Sequence, residues 1–225
     1  MTQSAHVTDS QLNSMLSFLR SNVPRTNTAA QNPLVFEDGR GLIQFHTPES
    51  PYMMRHTLPL ASVPTFMKPP LHLHLFQVEH FQVVSGVGAF FLRPSASNPT
   101  PAIVRQGETI EIPVGAYHRF ENGSEQPLVV DIRLDPQNWR MEESFFRNFF
   151  GYLEDCRVHG KEPSILQIFV FLESVEAPLA IPLPDWVGET ARIWVSRGLM
   201  TIGAAVGRLV GYQPSYDEYF RERAE

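Results

Sequence analysis

Two short segments of this 225-residue chain carry histidines and a glutamate at spacings typical of β-strands. The first reads PPLHLHLFQVEHFQVVSG (residues 69–86), and the second reads GETIEIPVGAYHRFEN (residues 107–122). Together they supply four candidate metal ligands, which are His72, His74, Glu79 and His118. Residues two apart on a strand point to the same face, so His72 and His74 project together. An ionised carboxylate buried alone is very costly, and a divalent metal ion is the partner that this pattern predicts.

The chemistry of these ligands limits the metal without identifying it. Mixed imidazole and carboxylate ligation suits Fe, Mn, Zn, Ni or Co, so we expect one divalent ion of undetermined identity. Glu79 has two alternative roles: it remains a ligand, or it detaches and acts as the catalytic general base. Gln77 is a candidate for hydrogen bonding to a ligand or substrate. Three aromatic residues near the motifs predict an apolar substrate pocket, namely Phe81, Phe90 and Phe120.

The same residues give the chain a resemblance to the cupin family. The second cupin motif, G(X)5PXG(X)2H(X)3N, is met throughout, by Gly107, Pro113, Gly115, His118 and Asn122. The first motif, G(X)5HXH(X)3-4E(X)6G, is met by His72, His74, Glu79 and Gly86. Its leading glycine is replaced by Phe66, and two prolines precede the histidines instead. Proline can also prepare the entry to a strand, so this departure affects only the turn.

The resemblance implies a mainly β fold, a cupin-type β-barrel or jelly roll with an α-helical C-terminal extension. The barrel is expected over residues 33–135, where short alternating runs are separated by Gly, Pro and Asn. Residues 1–32 would form a lead-in with a short helix from Ser10 to Leu19. Residues 136–225 would pack on the barrel as helices. Each motif occurs once, which indicates a single barrel.

Three helices are expected in the extension. Five apolar residues recur at helical spacing in the first helix, and we assign them to core packing and not to a cofactor site: Phe145, Phe146, Phe149, Phe150 and Leu153. Pro163 is expected to open a second, buried helix, and Asp185 to cap a third that begins at Trp186.

Glycines at four-residue steps mark one side of the third helix, at positions 203, 207 and 211. Three interpretations are open: close packing on another element, a contact between subunits, or a helix at a membrane surface. The uninterrupted apolar stretch from Gly198 to Gly207 covers ten residues, which is too short to span a bilayer.

Composition restricts the partners. The formal net charge of −6 argues against a nucleic-acid surface. The single cysteine, Cys156, excludes an internal disulfide framework. No charged region followed by an apolar stretch occurs at the start, so we expect a cytoplasmic protein. Cupins commonly pair through barrel edges, and the resemblance therefore implies a homodimer.

The resemblance leaves several functions open, because cupins include dioxygenases, isomerases, decarboxylases, cyclases and non-catalytic binding proteins. Our first hypothesis is a metal-dependent, oxygenase-type enzyme acting on a small, largely apolar organic molecule inside the barrel. A non-redox isomerase, cyclase or decarboxylase of small-molecule, polyketide-like biosynthesis is the second, and a ligand-binding cupin without turnover is the third.

Other polar residues near the motifs receive minor roles. Arg55 and Arg119 are the basic residues closest to the motifs, and strand alternation directs Arg119 away from the metal, which disfavours phosphosugar substrates. Four more side chains are expected to be structural, exposed or directed outward: His46, His56, His80 and Tyr117.

Overall fold

Nine β-strands form two antiparallel sheets in the computed structural model, which describes residues 20, 22–93, 101–184 and 186–222. The strands are β1 (Leu34–Phe36), β2 (Gly41–Phe45), β3 (Met54–Leu58), β4 (Val78–Ser85), β5 (Val87–Arg93), β6 (Ala102–Arg105), β7 (Thr109–Ile112), β8 (Tyr117–Asn122) and β9 (Leu128–Asp135). One sheet has the order β1-β2-β3-β9-β4-β7 and the other β6-β5-β8. The expected short helix from Ser10 to Leu19 lies outside the described residues.

Alternation along the strands creates the barrel interior. On β4, Glu79, Phe81 and Val83 are buried, while the residues between them are partly exposed. Gly86 follows the strand, and its φ of +83° suits a residue without a side chain. A Cβ atom at this position would lie 2.6 Å from the Pro127 carbonyl oxygen. The motif glycine is therefore required by both the turn and the neighbouring backbone.

The segment that carries His72 and His74 is extended but belongs to neither sheet as a regular strand. On one side, His72 and His118 exchange backbone hydrogen bonds of 3.1 and 2.7 Å, which join the segment to β8. On the other side, residues 71–75 bond to residues 176–180 of the C-terminal extension, through Leu73 N to Pro178 O and Leu75 N to Glu176 O. The extension thus supplies a backbone neighbour to the ligand segment.

Three helices follow the barrel: α1 (Trp139–Val158), α2 (Ile165–Ser174) and α3 (Glu189–Leu209). The Asn138 side chain accepts a hydrogen bond from Met141 N and caps α1. The expected start of the third helix at Trp186 is wrong, because a turn closed by Val187 N to Pro184 O precedes α3. Trp186 is 85% exposed. The cap assigned to Asp185 falls on a residue outside the described ranges.

Close packing explains the glycine spacing on α3. A Cβ atom at Gly203 would lie 2.2 Å from Phe169 Cδ2, and one at Gly207 would lie 2.7 Å from Val170 Cγ2. Both contacts are made to α2, so the packing interpretation is confirmed for these two positions. Gly211 follows the helix with a φ of +93°. None of the helices in the described part of the chain is long and apolar enough to cross a membrane.

Helix α1 lies against the barrel through its phenylalanines. The Phe150 ring is 5.9 Å from the Phe36 ring and 5.5 Å from the His56 imidazole, measured between centroids. On the other side of α1, Thr26 donates backbone and hydroxyl hydrogen bonds to Asp155. The mainly β fold with a helical extension is confirmed, and the domain boundaries at residues 32 and 135 stay predictions.

Candidate metal centre and its cavity

Four side chains from three parts of the barrel meet at one point. Each offers a ligand atom, and these atoms all lie within 4.8 Å of one another: His72, His74, Glu79 and His118. The extended segment supplies the first two, β4 supplies the glutamate and β8 supplies the last histidine. His74, Glu79 and His118 are buried, and His72 is half-buried. The structure therefore brings the four predicted ligands together.

Backbone carbonyls orient two of the imidazole rings. Nδ1 of His72 lies 2.8 Å from the Pro70 carbonyl oxygen, and Nδ1 of His118 lies 3.0 Å from that of Ala116. Because a carbonyl can only accept, Nδ1 is the donor in both rings, and their Nε2 atoms are left for the centre of the cluster. Nε2 of His118 lies 2.7 Å from Glu79 Oε2, and Nε2 of His74 lies 3.5 Å from the same oxygen.

The pKa values in the cluster follow from burial and proximity. Burial alone would raise the pKa of Glu79, but hydrogen bonding to His118 and the nearby His74 hold it well below its ordinary value. Burial opposes protonation of His118, yet its contact with Glu79 outweighs burial and raises its pKa. Burial, followed by the neighbouring histidines, lowers the pKa of His72 to about 3. The cluster thus favours an ionised carboxylate and a neutral His72, which are the forms that bind metals.

The donor set fits a divalent metal ion. Three imidazoles and one carboxylate suit several first-row transition metals. Both ring nitrogens of His74 are buried and have no hydrogen-bond partner among the described residues. A buried imidazole in that condition costs free energy unless a ligand or ion completes its bonding.

Gln77 takes a different place from the one expected. Its amide donates to Glu142 Oε1 and to the Pro136 carbonyl oxygen, each at 2.7 Å, so the amide is directed toward the start of α1. It does not belong to the cavity lining in the described structure. The irregular stretch between His74 and β4 breaks the alternation on which the expectation of a substrate contact rested. Glu142 is fully buried, and burial raises its pKa.

An apolar cavity opens beside the ligand cluster. The space that the centre of a water-sized molecule can enter is about 60 Å³, enough for several waters or a small organic group. Fifteen residues of the described structure line it: Met54, His56, Pro69, Pro70, His72, His74, Glu79, Phe120, Ile132, Phe145, Phe146, Phe149, Phe150, Leu172 and Ala177. None of them is Lys or Arg. Arg55 pairs with Asp131 and Arg119 with Glu121 instead, at 2.8 and 2.7 Å.

The three phenylalanines assigned to the pocket form one aromatic cluster, but their positions differ. Phe120 lines the cavity. Phe81 and Phe90 lie behind it, with ring centroids 5.0 and 5.5 Å from that of Phe120, and they are not among the lining residues. Direct contact of Phe81 and Phe90 with a substrate therefore stays a prediction. They share an inward face with the site residues but lie further along the barrel.

Four phenylalanines of α1 line the cavity as well as packing in the core, and the sequence indicated only the packing. Phe149 and Phe150 are buried in the core, as expected from their spacing. The same two residues, with Phe145 and Phe146, also form a wall of the cavity. Helical periodicity predicts an apolar face but not the element that this face covers. The assignment to core packing alone was therefore incomplete.

His56 is a site residue that the sequence reasoning missed. It lies on β3 between Met54 and Leu58, and all three side chains are buried. The imidazole is only 2% exposed, lines the cavity, and has an Nε2 atom without a hydrogen-bond partner in the described structure. The alternation in Met54-Arg55-His56-Thr57-Leu58 was the signal that could have found it.

Of the side chains expected to face outward, Tyr117 does leave the barrel interior but is covered by α3. Its hydroxyl lies 3.0 Å from Ser196 Oγ, and the residue is 5% exposed. His80 is half-buried, with Nδ1 3.5 Å from a carboxylate oxygen of Glu111 on the neighbouring strand. His46 is also half-buried, with Nε2 3.4 Å from Asp131 Oδ1.

A small β-barrel with both motifs and their four ligands grouped inside it defines the class of this protein, which is a cupin. No protein-family model matches the chain. The probable oxidoreductase virH of Hypocrea virens is 32% identical over 160 residues, which are 68% of each chain. The oxidoreductase iacF of Pestalotiopsis fici is 35% identical over 139 residues, 60% of this chain and 66% of the relative. The chain belongs to the family of these fungal oxidoreductases and spans about two thirds of the length of each.

One solved structure is similar to about half of the chain. The capsular polysaccharide assembling protein CapF from Staphylococcus aureus is similar over 47% of this chain and 31% of its own, with 22% identity and a TM-score of 0.38.

Proposed function

We propose that this protein is a metal-dependent oxidoreductase of the oxygenase type that acts on a small, largely apolar organic molecule. The observation that carries the proposal is the opening of a four-residue ligand cluster onto a cavity with aromatic walls and no lining Lys or Arg in the described structure. Membership of a family whose named relatives virH and iacF are oxidoreductases supports the reaction class.

The metal would be held by Nε2 of His72, His74 and His118 and by the carboxylate of Glu79. A bound metal would supply Lewis acidity and, if it is redox-active, electron transfer with oxygen. The Nδ1 hydrogen bonds of His72 and His118 to backbone carbonyls fix their rings before the metal binds. Such preorganisation reduces the entropy lost on binding.

Glu79 has a second role in the proposal, as the group that accepts a proton from the substrate. In this role the carboxylate would detach from the metal and hold the proton on its own oxygen, because Nε2 of His118, which lies 2.7 Å from Oε2, would itself be a metal ligand. The apolar walls exclude water and would direct a substrate hydroxyl or enol toward the only carboxylate among the described lining residues. Removal of that proton prepares an electron-rich oxygen for oxidation.

The first experiment determines the metal content of protein purified without chelators, by elemental analysis, together with oxygen uptake in the presence of a panel of small phenols and enols. We expect about one redox-active metal per chain and oxygen uptake that His72→Ala/His118→Ala abolishes. A His80→Ala variant is the control, because His80 lies on β4 but faces away from the cluster. Activity that depends on zinc alone would reject the oxygenase and favour a non-redox isomerase, cyclase or decarboxylase. Absence of stoichiometric metal would overturn the mechanism.

A further inference from the structure

His56 occupies an unusual position in the barrel. Its cross-strand neighbours are Ile43 on β2 and Val130 on β9, and both are fully buried aliphatic residues. Its ring contacts Phe120 and Phe150 edge-on, with centroids 5.8 and 5.5 Å away. An imidazole surrounded by apolar groups gains little from packing that a leucine or phenylalanine would not also provide.

The unpaired Nε2 atom of His56 lowers the stability of the protein when no ligand is bound. Nε2 of His56 is buried and has no hydrogen-bond partner in the described structure. Leaving such a group unpaired forfeits the hydrogen bonds it makes with water in the unfolded chain. A ligand inside the cavity would restore one of them, since the ring is part of the cavity lining.

The protonation state of His56 defines what it would recognise. Burial lowers its pKa to about 3, a shift that the charge of Glu79 only partly opposes. The ring is therefore neutral at physiological pH, with one nitrogen that donates and one that accepts. Such a ring pairs with a hydroxyl, enol or carbonyl oxygen, whereas a carboxylate or phosphate would call for a cation.

We infer that His56 is a specificity-determining residue that hydrogen-bonds a second oxygen of the substrate, while the first oxygen is directed to the ligand cluster. The substrate class is then an aromatic or alicyclic compound with two separated oxygen functions and an apolar body in contact with the phenylalanines. This inference rests on the proposed function, because it takes the ligand cluster as the anchor of the first oxygen.

The experiment compares four probes by equilibrium dialysis against the metal-loaded protein without oxygen: phenol, catechol, resorcinol and hydroquinone. Phenol has one oxygen, and the two adjacent oxygens of catechol can both be directed to the cluster. Resorcinol and hydroquinone have separated oxygens, and we expect at least one of them to bind about three- to tenfold more tightly than phenol. In His56→Leu this preference should disappear, while the Kd values of phenol and catechol stay unchanged.

Two further variants test the chemistry of the contact. His56→Gln keeps a donor and an acceptor and should retain part of the preference. His46→Gln makes the same substitution outside the cavity, next to Asp131, and should leave all four Kd values unchanged. A preference that persists in His56→Leu, or no preference in the wild-type protein, would overturn the inference. Failure of the proposed function looks different: the protein would lack metal, and His72→Ala/His118→Ala would bind phenol as the wild type does.

Discussion

The cavity has two walls that differ in how many of their buried polar groups the protein itself pairs. The ligand wall consists of His72, His74 and Glu79, and His118 completes the ligand cluster without lining the cavity. The polar atoms of His72, Glu79 and His118 contact one another or backbone carbonyls, whereas the ring nitrogens of His74 have no hydrogen-bond partner among the described residues. The aromatic wall consists of Met54 and His56 on β3 with the four phenylalanines of α1, and its single polar side chain has an unpaired nitrogen among the described residues. The comparison teaches that the protein orients the imidazoles of His72 and His118 by itself and leaves the ring nitrogens of His74 to a bound ion, whereas the aromatic wall needs a ligand to complete the hydrogen bonding of His56.

The largest effect should follow from damage to the ligand wall. His72→Ala/His118→Ala removes two of four donors, and we expect stoichiometric metal binding to be lost completely. Metal titration followed by elemental analysis measures this, with His80→Ala as the matched variant that retains metal. Retention of one metal per chain in the double variant would show that the cluster is not the metal site.

Removing a phenylalanine ring from the aromatic wall should lower the free energy of unfolding more than it weakens metal binding. Phe150 is 4% exposed and contacts Phe36 and His56, so Phe150→Ala should lower the free energy of unfolding by about 3–5 kcal/mol. Urea denaturation measures the change. Phe145→Ala is the comparison, since Phe145 is only partly buried and its truncation should cost less. Equal costs would contradict the view that Phe150 joins α1 to the barrel core.

The aromatic wall should respond to acid through His56. His56 has a folded-state pKa of about 3 against about 6.5 in the unfolded chain, so between these values the unfolded state binds the extra proton. Stability due to neutral His56 is therefore lost as the pH falls below 6.5. Relative to wild type, His56→Leu should gain about 2 kcal/mol of unfolding free energy on going from pH 7 to pH 5. Chemical denaturation of metal-free protein at both pH values provides the measurement, and a constant difference between the two proteins would refute the expectation.

The smallest loss of stability should follow from removing the hydrogen bond between Gln77 and Glu142, which connects the ligand segment to α1. Gln77→Leu removes the donor to Glu142 Oε1 and should cost about 1–2 kcal/mol of stability, because it leaves a buried oxygen with fewer partners. Thermal denaturation would measure the loss, and the Kd of phenol should not change. Weakened phenol binding with normal stability would restore the role in substrate contact that the sequence suggested.

The ligand wall was predictable because its information is local. His72 and His74 share a face by strand alternation, and the spacing of Gly107, Pro113 and Gly115 specifies the turns before His118. The structure brings all four side chains together as expected. Local patterns suffice here because each ligand lies within a few residues of the turn that orients it.

The aromatic wall was less predictable because it depends on contacts between distant parts of the chain. Helical spacing indicated an apolar face on α1, but nothing in residues 139–158 specifies that this face meets β3. His56 had a readable inward position, yet a histidine on an apolar face is more often part of the core than of a site. The direction of the Gln77 side chain was not predictable for another reason, since strand alternation does not apply in the irregular stretch before β4.

The pairing of residues 71–75 with residues 176–180 has a consequence for protein engineering. A barrel excised at residue 135 would keep all four metal-binding side chains but leave the backbone beside His72 and His74 as an open edge. Such an edge can shift in register or pair with another chain. Transplanting this centre into a new scaffold would therefore require the strand-like piece of the tail as well as the motifs.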